Sequence, residues 1–325
     1  MAKARLGYLK TEDDADFWHS LFDDLKKAVL ADKIACPELE FHRTEAGYDR
    51  RLEIPIIETV NELSWGLQFR PWRSILESQI EDAARKFLGK QPEEREPWAI
   101  AFESDPQAPV ESRMQDILGA RGRIRVHIPL PDEVVEQDRQ RKLEFAHEAQ
   151  RLLKEYSNSP LGWSELVLQS KRSFMDGFLG KTARQSSAQQ AQEDSPLSQQ
   201  RALDRYNELV NLFNRLREIG INTDSSKVMD FMESEELLNI PFVDVNASIW
   251  AAIAKTYQGG KLPKGDFYDV PILASALPYC DVVTTDKFMK EIIIKILHFD
   301  EKYEAKIFLA TKADRLAFQK FIQGL

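Results

Sequence analysis

Between residues 13 and 31, Phe17, Leu21, Leu25, Ala28 and Val29 recur at helical spacing, which predicts an amphipathic helix over Asp13–Ala31. Asp13, Asp14 and Asp16 crowd its start, where carboxylates favour the helix dipole. The short apolar piece Ile34-Ala35-Cys36, stopped by Pro37, predicts a buried strand. Helices are predicted over Pro37–Tyr48, Ile54–Trp65 and Arg73–Leu88. Residues 91–109, rich in Pro and charge, read as an irregular crossing. Helix formers then dominate, with helices predicted over Asp132–Tyr156, Ser164–Leu179 and Leu203–Ile219. The last carries Tyr206, Leu209, Val210, Phe213 and Leu216 on one stripe. The Gln- and Ser-rich stretch at 186–200 reads as a flexible connection. Strand-like runs are scarce from 111 to 239, so this block reads as a helical insertion.

After Pro241 the pattern changes. A helix over Val245–Tyr257 leads to the loop GGKLPKGD, a helix over Val270–Leu277 and the β-branched run Asp281–Thr285. A helix over Lys287–Leu297, a strand over Ala305–Ala310 and a helix over Lys312–Ile322 follow. Alternating strands and helices with short connections predict an α/β fold whose parallel sheet is flanked by helices. No internal repeat is visible.

Composition narrows the function classes. The 325 residues allow one large domain or two ordinary ones, and 43% apolar content fits a packed core. No apolar run reaches the 18 or so residues needed to span a membrane, and the start Ala2-Lys3-Ala4-Arg5, with no apolar run after it, predicts no signal peptide. Two cysteines, Cys36 and Cys280, give no disulfide framework, which fits a reducing cytoplasm. The net charge of −9 disfavours coating nucleic acid through bulk charge, but leaves room for an enzyme holding metal on carboxylates.

Several motifs fail their own requirements. Gly180-Lys181-Thr182 imitates the end of a P-loop, but Met175 stands where the first glycine belongs, so a helical start is the plainer reading. Glu144 and His147 have Glu-x-x-His spacing without the second copy a di-iron bundle needs. The cysteines lack the partners of a zinc site, and no Gly-x-Ser-x-Gly elbow is present.

The passage GDFYDVPILASALPYCDVVTTDKF puts Asp269 directly before a helix and Asp286 directly after a strand. In parallel sheets, strand ends and helix starts face one crevice. Two carboxylates there suit Mg²⁺, which takes oxygen ligands, with water and phosphate completing the shell. Both aspartates also stand where N-caps stand, and capping alone accounts for many such residues.

This passage resembles the C-terminal half of PIN-domain nucleases. In that family an Asp opens a helix of small apolar residues, and a strand ends in Thr or Ser, one further residue and another Asp. Asp269 with Val270–Leu277 matches the first element, and Asp281–Asp286 matches the second. Ile34–Pro37 followed by Phe41–Glu45 is similar to the family's early acidic helix, with Glu45 as the matching acid. The resemblance covers residues 1–90 and 240–325; it implies a discontinuous PIN-like core over 1–110 and 240–325, with 111–239 as a large α-helical insertion. It implies that Glu45, Asp269 and Asp286, assisted by Asp266, hold one or two Mg²⁺ or Mn²⁺ ions for phosphodiester hydrolysis. It further implies RNA as substrate, with DNA left open. Toxin, defence and RNA-processing roles fit equally.

One departure stands out. The family begins with a strand ending in a metal-binding Asp, and no such run precedes the first helix here. The expectation is that Met1 is an internal methionine of a longer reading frame; the alternative is a natural variant lacking that strand. Asp13, Asp14 or Asp16 could stand in, although they read as helix-start acids.

A polyanion also needs cations around so acidic a site. Lys264 and Lys287 are the candidates for substrate phosphate, with Lys255, Lys261 and Lys290 nearby and Arg121, Arg123 and Arg125 in the insertion. Trp250 and Tyr257 read as core packing. The competing class is a non-catalytic scaffold that binds a protein partner, or a second copy, through its helical block.

Overall fold

The first predicted helix forms as α1, Glu12–Leu30. Its stripe of Leu21, Leu25 and Ala28 is buried against Ile322 near the C-terminus, with Phe17, Trp18, Phe318 and Phe321 around them. The computed structural model describes residues 12–47, 49–119, 131–181, 207, 210–221, 226–256, 266–309 and 311–325. The chain continues through α2 (Glu40–Ala46), α3 (Arg50–Ser64), α4 (Trp72–Phe87), a 3₁₀ turn at Pro97–Ile100 and α5 (Val110–Gly119). The long α6 (Asp132–Ser157) and α7 (Trp163–Asp176) follow, with a π-turn at Gly177–Lys181. Next come α8 (210–219), α9 (Ser226–Met232), α10 (Glu235–Leu238), α11 (Pro241–Thr256) and α12 (Asp266–Ala276). Strand β1 (Val282–Thr285) leads through α13 (Lys287–Glu291), a π-turn at Ile292–Ile296 and α14 (Phe299–Lys302) to β2 (Lys306–Leu309) and the closing α15 (Lys312–Gln323).

The described residues are thus mostly helical, with one two-stranded parallel sheet. Val283 pairs with Ile307 and Thr285 with Leu309. No helix among the described residues is long and apolar enough to cross a membrane.

Four local expectations differ from what forms. Residues 34–36 make no strand. Pro37 lacks the N–H a ladder needs, and pairing waits until Glu38, which bridges Gln68 in parallel through Glu38 N to Leu67 O (2.9 Å) and Phe69 N to Glu38 O (2.8 Å). Helix α3 starts four residues ahead of its predicted start, because the Asp49 carboxylate caps it by accepting from Arg51 N. The helix then carries Pro55 inside it, and Thr59 Oγ1 donates to the Pro55 carbonyl (2.7 Å). Helix Lys287–Leu297 breaks into α13 and a π-turn, whose wider winding lets the consecutive Ile292 and Ile293 both point inward. Gly180 and Lys181 likewise end a π-turn rather than start a helix.

Helix α11 organises the core. Phe242, Val243, Val245, Ile249, Ala252 and Ile253 are all buried, so the helix is enclosed on every side, and its alanines admit close neighbours. Helices α4, α6, α7 and α12 pack on it. Leu153, Met175 and Leu212 from the helical block therefore share one buried cluster with Leu273, Val283 and Ile307 from the C-terminal part. Trp72 stacks on Phe242 with centroids 5.5 Å apart.

Two buried polar groups tie this core together. Gln79 accepts from the Phe242 N–H at 2.9 Å, an amide at the start of α11, and donates to Tyr279 Oη at 2.6 Å. Replacing Gln79 by Leu orphans both groups and is expected to lower stability by about 1–3 kcal/mol in urea denaturation. An unchanged midpoint and slope would sink that account. The second group is Asp244, in the first turn of α11. Its carboxylate meets Lys171 of α7 at 2.6 Å and Lys302 of α14 at 2.7 Å. Lys171 also donates to Asn239 Oδ1 (2.8 Å), and Tyr303 Oη donates to Asp244 at 3.4 Å. Burial pushes the Asp244 carboxyl up, but the two ammonium groups outweigh burial and hold it below the ordinary aspartate range. Burial also pushes the Tyr303 phenol up, and the nearby Asp244 charge adds to the rise.

Candidate functional site

The end of β1 is the point from which a site can be built. Four β-branched residues, Val282 to Thr285, favour the strand, and Val283 buries its side chain while Thr284 faces out. Asp286 then stops it. The Asp286 carboxylate accepts from Met289 N at 2.8 Å, which caps α13 and holds the side chain at the carboxyl end of the strand. Its position is exposed, and one accepted bond leaves most lone pairs of a carboxylate available.

Helix α12 opens at Asp266, so Asp269 lies in its first turn instead of capping it. Both acids gain there from the helix dipole. Asp269 is half-buried. The connection 277–281 is tight, with Tyr279 N and Cys280 N both donating to the Ala276 carbonyl. Asp269 lies about 10 Å before the end of α12 by helical rise, and Asp286 lies about 13 Å beyond the start of β1 by strand rise.

The remaining expected ligands are described less fully. Glu45 lies on α2 and Asp266 opens α12, but the side chains of both lie outside the described set. Lys264 also lies outside the described residues, as do Lys261, Tyr257, Arg121, Arg123, Arg125 and the stretch 186–200. Among the described residues no three His, Cys, Asp or Glu side chains gather as a metal cluster.

Of the candidate cations, Lys287 opens α13 and is exposed. Lys290 is committed elsewhere: its ammonium donates to Asp314 at 2.6 Å, and that carboxylate also accepts from Leu309 N. Lys255 donates to the Leu161 carbonyl. Trp250 packs against the main core, as expected. Both thiols are disfavoured as thiolates by their burial. Burial pushes Cys36 up to about 11, against the nearby Arg113, and pushes Cys280 up to about 12.

A polar cleft of about 390 Å³, absent from the sequence-level expectations, opens along α4. Arg70, Ser74, Glu77, Glu81, Glu103 and Arg215 line it. Arg215, from α8, reaches Glu77 at 2.7 Å and Glu81 at 2.6 Å. The spacing of Glu77 and Glu81, one turn apart on α4, marks a carboxylate pair in the sequence, but not the partner that would claim it.

No family model, curated protein or solved structure matches the chain.

Proposed function

We propose that this chain is a metal-dependent nuclease of PIN-like architecture that hydrolyses RNA. The observation that supports this most is Asp286 at the carboxyl end of a parallel strand, with Asp269 in the first turn of the helix leading into that strand. Active sites of parallel α/β folds collect at that edge. The donor set is all carboxylate, which suits a hard divalent cation and excludes a soft one.

Glu45, Asp266, Asp269 and Asp286 are the residues that would hold Mg²⁺ or Mn²⁺. When bound, such an ion supplies an activated water and a counter-charge for the leaving oxygen. Asp286 is anchored by the Met289 amide, so its carboxylate is held in place before any ligand arrives. Lys287, one residue on and exposed, offers a phosphate contact that reads no base.

A non-catalytic scaffold is the second reading, favoured by the lack of a metal cluster among the described residues. One assay separates the two. The purified chain is expected to cleave a labelled single-stranded RNA with Mn²⁺ present, to stop on adding EDTA and to resume when Mn²⁺ is restored. Intact RNA at every metal concentration would leave the scaffold reading in place.

A further inference from the structure

The cleft along α4 holds a guanidinium that the fold leaves unclaimed. Arg215 bridges Glu77 and Glu81, which offsets one of their two charges and turns both carboxylates toward α8. Arg70 is half-buried on the same cleft, and among the described residues its guanidinium has no hydrogen-bond or ion-pair partner. The backbone beneath it is well fixed. Arg70 N donates to the Ala101 carbonyl at 2.7 Å, and Phe69 N, just before, donates to Glu38 O. Two residues on, Trp72 N donates to the carboxylate of Glu40, the first residue of α2. Arg70 thus stands beside the start of the helix that carries Glu45, at the end of the segment bridged in parallel to Glu38.

The cleft wall suits one kind of ligand. Small-molecule sites are mostly apolar with a few polar groups, whereas five charged side chains, two serines and one proline line this one. A fixed guanidinium fork matches the paired oxygens of a phosphate. A polyanion also gains from counterion release, which a free metabolite does not. Glu103, exposed on the rim, is the one carboxylate here that Arg215 does not bind, and it opposes an anion.

We propose that Arg70 grips a backbone phosphate of single-stranded RNA lying along the α4 cleft, beside the start of α2. The proposal rests on the nuclease reading for its substrate class. On it, Arg70 positions the strand and takes no part in bond cleavage.

The test measures binding without cleavage. A fluorescein-labelled single-stranded RNA of roughly 12 nucleotides is titrated in EDTA with wild type, Arg70→Gln, Glu103→Gln and Asp286→Asn, the last alone and combined with Arg70→Gln, over a range of NaCl concentrations. Arg70→Gln is expected to raise Kd about tenfold and to flatten the salt slope by roughly 0.7. Glu103→Gln is expected to tighten binding, because it removes the opposing charge. The loss caused by Arg70→Gln is expected to be equally large in the Asp286→Asn background, which separates this proposal from the metal site. Arg70→Gln binding with unchanged Kd and slope would overturn it, as would tighter Arg70-dependent binding of the matching single-stranded DNA. Far-UV circular dichroism is expected to match across the variants, since the Arg70 side chain supports no described contact in the fold. If RNA cleavage fails while Arg70-dependent binding persists, the phosphate grip stands without the nuclease.

Discussion

Asp244→Ala is expected to cost about 3–5 kcal/mol of folding stability, the range found when one member of a buried ion pair is removed. The Lys171 side chain is only 9% exposed, so without Asp244 its ammonium stays buried with Asn239 Oδ1 as its described partner. Lys302 is 53% exposed and can turn to water, so it contributes little to the loss. Guanidinium denaturation followed by circular dichroism measures the difference. A loss below about 1 kcal/mol would contradict the account, since that is the scale of an exposed pair. The double variant Lys171→Met with Asp244→Leu is expected to recover most of the stability, because it removes the buried charge altogether.

The same pair sets a pH signature. The folded Asp244 carboxyl titrates below its unfolded value near 3.9. Its stabilising contribution is therefore complete above roughly pH 5 and is lost as pH falls through the depressed folded value. The stability gap between wild type and Asp244→Ala should stay flat from neutrality down to that point and then narrow in acid. A gap that widened on acidification would reverse the sign of the linkage and exclude the pair as its source.

Asp286→Asn is expected to reduce Mn²⁺-dependent RNA cleavage at least about a hundredfold, since even outer-shell partners of metal ligands are worth 10–100-fold. The choice of Asn isolates the function from the fold. Asn caps helices as well as Asp does, so the bond from Met289 N survives and the melting temperature should hold. Asp286→Ala loses the cap as well and should fall by about 1 kcal/mol. Calorimetric titration with Mn²⁺ supplies a readout independent of turnover: weaker binding in the Asn variant at unchanged stability points to a ligand. Equal cleavage by wild type and Asp286→Asn would remove the catalytic claim and reduce this aspartate to its cap.

Much of the secondary structure was legible residue by residue. Leu21, Leu25 and Ala28 recur with the helical period and face one side of α1 as that period requires. Val282–Thr285 becomes a strand because β-branched side chains stiffen an extended backbone. Starts were less legible where a polar residue competed with the apolar pattern. Asp49 draws α3 forward past Pro55, and Asp266 opens α12 before its apolar run begins. The Asp286 cap could be read directly, since an aspartate followed three residues later by a free amide at a helix start needs no distant partner.

The groups joined across the fold were not legible. Gln79 and Tyr279 lie 200 residues apart, and Arg215 and Glu77 lie 138 apart. Nothing in a window of a few residues distinguishes Lys171 from a solvated lysine until α7 packs on α11 and removes its water. The same holds for Arg70, which becomes a candidate phosphate contact only because Arg215 has already claimed its acidic neighbours.

By itself, the sequence determined most of the longer helices, both strands of the sheet and the placing of Asp286 at a strand end, because periodicity, caps and β-branching act within about four residues of their cause. Tertiary structure alone decided which charges are paired, buried or left open. Desolvation and ion pairing depend on neighbours that the chain brings together only by folding.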